Sequence, residues 1–221
     1  MFKGTSASAG IGIGKAVIVE EAELVITRNE VADAEAEIQR FKGALEKTIA
    51  ATQKMADDLA SRVGEKEAEI MQGHMMLLSD PMLTGEIENS VKNDKVNCEF
   101  AIENVCNMYA DMFASMGDEL MQQRATDMRD IKVRMQRTLM GLESVDVSLL
   151  PKGSILVAKD LTPSMTAGIN PENVSGIVTE LGGKTSHSAI LARALEIPAV
   201  VAVNGLMDAV KDGDSVVLDG S

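Results

Sequence analysis

Residues 174–203, VSGIVTELGGKTSHSAILARALEIPAVVAV, contain two short runs of β-type residues with a helix-forming run between them. The runs at 174–178 and 199–203 are rich in valine and isoleucine, which favour strands. A Gly-Gly turn at 182–183 precedes the alanine- and leucine-rich run at 188–195. Strands that alternate with a helix are typical of an α/β unit.

The same strand-like texture occurs twice more in the C-terminal third and once near the N-terminus. Residues 154–158 (SILVA) and 215–218 (SVVL) are predicted strands, and residues 15–19 (KAVIV) follow a Gly/Ser/Ala-rich stretch of predicted turns. The N-terminal strand has no partner nearby in the sequence. We therefore expect it to pair with the C-terminal strands, which makes residues 1–24 and 144–221 one discontinuous α/β domain.

A different texture fills the sequence between these two pieces. Apolar residues recur at helical spacing from about residue 29 to about residue 142. Pro81 is the one proline in this stretch and suits the first turn of a helix. Further interruptions near residues 64, 93 and 117 predict four or five helices. We expect residues 25–143 to form an inserted helical-bundle domain.

Methionine takes the place of aromatic residues in this chain. There are 15 methionines against 2% aromatic residues, and 12 of the methionines lie between Met55 and Met140. Three of them, Met108, Met112 and Met116, continue one apolar helix stripe. Because an unbranched thioether fills helix–helix contacts well, we expect most methionines to lie in the core.

The net charge excludes one class of function and favours another. With 34 acidic and 21 basic residues, the formal charge is −13. No basic footprint is available for the phosphates of a nucleic acid. An acidic surface would attract a basic protein partner, although it also serves solubility alone.

Cysteine usage and hydropathy predict a cytoplasmic protein. Cys98 and Cys106 are about two helical turns apart, roughly 12 Å, which is too far for a disulfide within one helix. No apolar run reaches the roughly 18 residues that a membrane span needs, and residues 1–10 lack the apolar core of a signal peptide. With a single other histidine, His74, and no Cys-x-x-Cys pair, the sequence predicts no metal site.

His187 is the candidate catalytic residue. Thr185 or Ser186 is suited to cap the helix that follows, which places His187 in the first turn. Backbone amides and the helix dipole there favour a phosphate group and disfavour a charged imidazolium. A neutral imidazole in this position is able to take a phosphoryl group onto nitrogen. The same pattern is also an ordinary α/β connection, so spacing alone leaves an incidental histidine open.

Neighbouring residues supply groups that suit a phosphoryl group. Gly183 allows a ligand to approach the backbone closely. Thr185 and Ser186 offer hydroxyl donors, and Arg193 offers a positive charge.

Several motifs resemble those of the phosphoenolpyruvate-utilising enzymes. The run GGKTSHSAILAR at 182–193 looks like the phosphohistidine signature of that family. Further stretches resemble the Enzyme I members that begin bacterial sugar phosphotransferase systems: GTSASAGIGIGK at 4–15, GHMMLLSDP at 73–81, RATDMRDI at 124–131, DLTPSMTA at 160–167 and LEIPAV at 195–200. The resemblance runs along the whole chain in collinear order.

This resemblance implies a phosphocarrier role for His187. In the family, the matching histidine is phosphorylated on Nε2 by phosphoenolpyruvate and then phosphorylates the small carrier protein HPr, the first step of sugar uptake. The threonine that matches Thr166 hydrogen-bonds this histidine. The implied fold is an α/β phosphohistidine (swivelling) domain that is interrupted by a helical HPr-docking domain.

The resemblance also implies an HPr-docking surface. Read from the sequence alone, Met76, Phe113 and Met121 are core residues and His74 is a packed histidine. The order of charges around residues 65–69 departs from the family pattern. The family contacts correspond to Glu65, Glu67, His74, Met76, Asp80, Leu83, Phe113, Met121 and Arg124.

Family members continue beyond the length of this chain into a barrel domain that binds phosphoenolpyruvate and Mg²⁺ and forms a homodimer. The resemblance therefore implies a monomeric N-terminal fragment that exchanges phosphate with HPr but does not use phosphoenolpyruvate. Two other interpretations stay open: the phosphohistidine domain of a dikinase or phosphoenolpyruvate synthase, and a non-catalytic interaction module.

Overall fold

A computed structural model describes every residue from Met1 to Ser221. Along the chain, the strands and helices are β1 (Thr5–Ser8), β2 (Ile11–Val19), α1 (Ala34–Arg62), α2 (Glu65–Leu78), α3 (Pro81–Asp94), α4 (Cys98–Ser115), α5 (Glu119–Met140), β3 (Ser154–Ala158), α6 (Pro163–Ala167), β4 (Val174–Thr179), α7 (His187–Ala194), β5 (Ala199–Val201), α8 (Leu206–Ala209) and β6 (Ser215–Asp219).

The chain divides into two compact units. The α/β unit comprises Met1–Glu21, Leu59–Glu67 and Val145–Ser221, and the helical unit comprises Ala22–Asp58 and Ala68–Ser144. This division differs from the expected ranges at residues 22–24 and 144, which group with the helical unit, and in one internal segment. Leu59–Glu67, which joins the end of α1 to the start of α2, groups with the α/β unit.

All six strands form one sheet of the α/β unit, in the order β1-β5-β4-β3-β2-β6. The four central strands are parallel, and β1 and β6 are antiparallel to their neighbours. Because β2 lies between β3 and β6, the prediction that the N-terminal strand pairs with C-terminal strands is confirmed.

The N-terminal residues form more strand structure than the sequence indicated. β1 lies in residues expected to be turns, and β2 already begins at Ile11. Gly12 and Gly14 lie so close to the carbonyls of Ser175 and Gly153 that any side chain there would clash. Glycine at these two positions allows a close approach of the backbone and does not mark a turn.

The central strand β3 is buried on both faces. Leu156 packs in an apolar cluster with Met165 of α6 and Ala189 of α7, whereas Val157 packs in a second cluster with Leu206 of α8. Since α6 follows β3 and α7 follows the parallel neighbour β4, both helices begin at the same edge of the sheet. That edge carries the candidate site.

The helical unit is built around fully buried side chains from four helices: Phe41 of α1, Ile87 of α3, Ile102 of α4 and Ile131 of α5. The predicted number of helices is confirmed, and Pro81 begins α3 as expected. No helix of the chain is both long enough and apolar enough to cross a membrane.

Methionine does not fill the core as consistently as predicted. Met71 is buried, but Met108, Met112 and Met116 are exposed. The buried side of α4 is centred near Ile102, and the exposed methionines lie to one side of it. The expectation that this stripe faces the core is therefore wrong for all three methionines.

Candidate functional site

His187 is the first residue of α7, and Ser186 is its N-cap. The Ser186 backbone is extended, and its Oγ accepts a hydrogen bond from the Ala189 amide at 3.3 Å. The Ser186 amide donates to the Gly183 carbonyl at 3.1 Å, which fixes the loop just before the helix. The predicted cap is confirmed, with Ser186 rather than Thr185 in that position.

The helix start is arranged to favour an anion. The Ile190 amide already donates to the Ser186 carbonyl at 3.0 Å. The amides of His187 and Ser188 stand ahead of it in the first turn, where helical carbonyl acceptors do not reach. Amides at this end of a helix point toward a bound anion, and the helix dipole adds to the attraction.

The imidazole of His187 is half-buried, and each of its two ring nitrogens exposes less than 1 Å² to solvent. A phosphorus atom has no direct approach to either nitrogen in this conformation. A reaction at either nitrogen would therefore require the ring, or the groups around it, to move.

Small polar residues surround the start of α7. The hydroxyls of Ser186 and Ser188 lie 2.9 Å apart, and Ser188 is buried while Thr185 is exposed. The left-handed backbone that glycine favours occurs at Gly182, where φ is 99°. A Cβ atom placed on Gly183 would meet no other atom within 4 Å. The turn thus depends on Gly182, and the space beside Gly183 is open to a ligand.

Thr166 lies in α6, which packs against α7. Its side chain is buried, and its hydroxyl donates to the Thr162 carbonyl at 2.8 Å. Because a hydroxyl carries a single proton, Thr166 Oγ1 offers only acceptor capacity to any other group. A hydrogen bond between Thr166 and an imidazole would therefore run from a ring N–H to the threonine.

Arg62 supports α6 and was not identified from the sequence. Its guanidinium donates to the carbonyls of Ala167 at 2.7 Å and Ile169 at 2.6 Å. A cation is favourable at these carbonyls because they form the negative end of the helix. Only the fold reveals this contact, since residues 62 and 167 are far apart in the chain.

Arg193 makes a contact that the sequence did not indicate. It lies six residues after His187, about 9 Å along the helix axis. Its Nη1 donates to the Ala7 carbonyl at 2.9 Å, which ties α7 to β1. The geometry thus supports a structural tether and does not support a charge directed at a phosphoryl group on His187.

The structure sorts the expected docking residues by exposure. His74 is fully buried and Leu83 is 2% exposed, so neither presents surface for a direct contact in this conformation. Met76 is 71% exposed and Glu65 is also exposed. The remaining expected residues are half-buried: Glu67, Asp80, Phe113, Met121 and Arg124. Glu65 and Glu67 belong to the α/β unit, and the other expected docking residues belong to the helical unit.

Several exposed apolar residues of the helical unit were not assigned to the docking surface from the sequence. They are more exposed than Phe113 and Met121, which the resemblance named. A helix stripe of methionine looks the same in sequence whether it faces the core or solvent, so no sequence signal separates them. These residues are Met82, Met108, Met112, Met116 and Leu120.

One cluster in the helical unit has the spacing of a metal site: Glu37, Cys98 and Glu99. However, the Arg40 guanidinium lies among them, 2.8 Å from Glu37 and 3.3 Å from the Cys98 sulfur, and is paired with Glu99. Burial raises the pKa of Cys98 far above its usual range, and the hydrogen bond with Glu37 raises it further. A protonated thiol beside a fixed guanidinium does not fit Mg²⁺, which prefers oxygen ligands.

Comparison with known proteins gives consistent matches. The family profile "PEP-utilising enzyme, N-terminal" matches residues 3–124, and "PEP-utilising enzyme, mobile domain" matches residues 150–221. The chain is 41% identical to phosphoenolpyruvate-protein phosphotransferase of Bacillus subtilis and 43% identical to that of Listeria monocytogenes, each over 219 residues. These alignments cover 99% of this chain and 38% of each relative.

Solved structures agree with these matches. A solution structure of Enzyme I (nEIt) matches with 40% identity and a TM-score of 0.84. The match covers 100% of this chain and 90% of the chain in that structure. A second structure, an N-terminal domain of "Enzyme 1 - Nitrogen", has a TM-score of 0.65 at 24% identity over the same shares and supports the fold alone. The N-terminal family profile by itself covers more than half of the 221 residues, and the chain belongs to the family of PEP-utilising enzymes.

Proposed function

We propose that this chain is the phosphohistidine part of a phosphoenolpyruvate-protein phosphotransferase, in which His187 takes up a phosphoryl group and exchanges it with HPr. The observation that carries the proposal is the place of His187 at the capped start of α7. The names of the relatives support the same reaction, and this chain covers 38% of the length of each relative.

The transfer step uses a ring nitrogen of His187 as nucleophile. A bond forms between that nitrogen and phosphorus, while the bond from phosphorus to its previous carrier atom breaks and leaves the electron pair on that atom. The other ring nitrogen keeps its proton. First-turn amides and the exposed hydroxyl of Thr185 stabilise the phosphoryl oxygens, because donors at a helix start favour anionic groups.

The covered ring nitrogens require an opening step before transfer. Rotation of the imidazole or displacement of its neighbours exposes one nitrogen to the incoming phosphoryl group. The covered conformation also limits hydrolysis, since water has the same restricted access as phosphorus.

Docking of HPr is assigned to the exposed residues of the helical unit. Exposed apolar side chains such as Met76 supply contact area, and acidic neighbours attract a partner with basic residues around an apolar patch. The formal charge of −13 raises the rate of encounter with such a partner.

We propose that the residues of this chain hold neither phosphoenolpyruvate nor Mg²⁺, and we place the reaction in the cytoplasm. The one acidic cluster with metal-like spacing is occupied by Arg40. The proposal therefore expects phosphate exchange with HPr but no labelling from phosphoenolpyruvate and Mg²⁺ alone.

The test is incubation with HPr that carries a ³²P-labelled phosphoryl group. The chain has two histidines, which makes a matched pair of variants available. Acid-labile label is expected in the unmodified chain and in His74→Gln, and it is expected to vanish in His187→Ala. Label that persists in His187→Ala, or that vanishes only in His74→Gln, would overturn the proposal.

A further inference from the structure

We propose that Gly73, His74 and Asp127 form a cradle that positions the Arg124 guanidinium at the docking surface. The proposal rests on the proposed function, because it assigns Arg124 to the contact with the phosphocarrier. In this proposal His74 is a positioning residue. Its complete burial fits such a role and does not fit a direct surface contact.

His74 of α2 is hydrogen-bonded to one carboxylate of α5, and a second carboxylate lies farther from its ring. Its Nε2 lies 3.2 Å from Asp127 Oδ1, and its Nδ1 lies 3.9 Å from Asp130 Oδ2. An ionised carboxylate only accepts hydrogen bonds, so Nε2 carries the proton and donates to Asp127. Asp127 is 5% exposed. A buried charge requires such partners, and this donor fixes the orientation of the Asp127 carboxylate.

The second oxygen of the same carboxylate faces Arg124. Asp127 Oδ2 lies 3.8 Å from Arg124 Nη1, one helical turn earlier in α5. The arginine side chain remains 32% exposed. One carboxylate thus connects the buried imidazole with a cation that reaches the surface.

Gly73 supplies the space for this cation. A Cβ atom on Gly73 would lie 2.7 Å from Arg124 Nη1 and 3.9 Å from Nη2. The guanidinium therefore rests against the backbone of α2 where a side chain is missing. Glycine in the interior of a helix costs about 1 kcal/mol relative to alanine, but a methyl group here would displace the Arg124 guanidinium.

The cradle fixes a side chain that is otherwise among the most mobile. Holding an arginine in its binding conformation before contact lowers the entropy lost on docking. A fixed guanidinium presents several donors in a plane, which suits an oxygen acceptor on the carrier, such as a carboxylate or a phosphoryl group. The three residues act on docking through Arg124 and do not touch the carrier themselves.

The sharpest test is Gly73→Ala, with Gly85→Ala as its matched control. Both glycines lie inside helices of the helical unit, but a Cβ on Gly85 meets no atom within 4 Å. The KM for the carrier in phosphate exchange is expected to rise about tenfold in Gly73→Ala, as for loss of a close charged contact, and to stay unchanged in Gly85→Ala. The kcat is expected to change little in either variant.

A double-mutant cycle separates positioning from general damage. On an Arg124→Ala background, Gly73→Ala is expected to cause no further rise in KM, because the displaced group is already absent. His74→Gln, which keeps a donor for Asp127, is expected to retain most of the affinity that His74→Leu loses. Additive effects of Gly73→Ala and Arg124→Ala, or equal effects of Gly73→Ala and Gly85→Ala, would refute the cradle.

One readout does not depend on the carrier. The Arg124 Nε–Hε resonance in NMR spectra of the isolated chain is expected to report an ordered guanidinium, and to lose that order in Gly73→Ala and His74→Leu but not in Gly85→Ala. An ordered guanidinium that survives Gly73→Ala overturns the cradle. Normal behaviour of this resonance in a chain that exchanges no phosphate with HPr would refute the proposed function instead.

Discussion

The hydroxyl oxygens of Ser186 and Ser188 lie 2.9 Å apart, on the residues that directly precede and follow His187. Ser186 Oγ also accepts the hydrogen bond that caps α7. The histidine thus sits in a short polar segment whose backbone is fixed by its own side chains. Under the proposed function, the conformation of the first helical turn, and not the histidine alone, determines phosphate transfer.

Ser186→Ala is expected to slow phosphate exchange as well as to lower stability. Loss of an N-cap costs about 1 kcal/mol, and the first-turn amides lose their alignment. Urea unfolding and exchange kinetics measure the two effects. Asp146→Ala is the control, because it removes the side chain that caps the short helical turn Val147–Leu149 of the same unit. Equal exchange rates in the two variants would contradict the role of the Ser186 cap.

Arg193→Ala and Arg193→Lys are expected to lower the thermal midpoint by similar amounts and to leave the exchange rate within about twofold. The reason is that Arg193 donates to the Ala7 carbonyl, a contact worth about 1 kcal/mol that depends on the guanidinium. If Arg193 instead neutralised a phosphoryl group, lysine would preserve exchange and alanine would abolish it. Stopped-flow exchange of the two variants decides between the tether and the charge.

Met76→Ala is expected to weaken HPr binding, whereas Leu83→Ala is expected to lower stability. Leu83 is buried in the helical unit, so its truncation costs about 2–5 kcal/mol of unfolding free energy. Met76 is exposed, so its truncation leaves stability within about 0.5 kcal/mol but weakens HPr binding. Urea unfolding and calorimetric titration with HPr measure both quantities. Weakened binding without a loss of stability in Leu83→Ala would place that residue back on the docking surface.

The stability of the helical unit is expected to fall in acid through Glu99. Burial is the largest single effect on Glu99 and would raise its pKa. The hydrogen bond and the charge of Arg40, together with hydrogen bonds from the Glu99 amide and from Asn97, outweigh it, so the pKa lies below its usual value of 4.5. A carboxylate with a lowered pKa contributes stability above that value and loses the contribution as the pH falls through its pKa in the folded protein. Unfolding free energies from pH 7 to pH 3 are expected to fall less steeply in Glu99→Gln than in the unmodified chain. Identical pH profiles would show that the pair contributes nothing.

Local signals in the sequence were sufficient to predict much of the site. The hydroxyl before His187, the preceding glycines and the alternating strands and helix each report on neighbouring residues, and the structure places Ser186, His187 and the N-terminal strand β2 accordingly. The contacts of Arg62 with Ala167 and of Arg193 with Ala7 join segments distant in the chain. No local pattern encodes such contacts, and an arginine near a phosphate-binding residue suggests a charge role by default.

The sequence also did not predict which residues of the helices are buried. His74, Met76 and Leu83 lie within one short stretch, yet the first and last are buried and the middle one is exposed. Apolar spacing identifies a stripe, but it does not reveal which side of the stripe other helices cover. In a chain rich in methionine the ambiguity is larger, because this residue suits both a core and a binding surface.

The most direct measurement of the central claim is ¹⁵N and ³¹P NMR of the chain after phosphorylation by phospho-HPr, with ring nitrogens of both histidines labelled. The account predicts a phosphorus–nitrogen bond on His187, seen as a shift of one of its ring nitrogens and as coupling to phosphorus, with the nitrogens of His74 unchanged. Unchanged ring nitrogens at His187 in a chain that carries phosphate would contradict it.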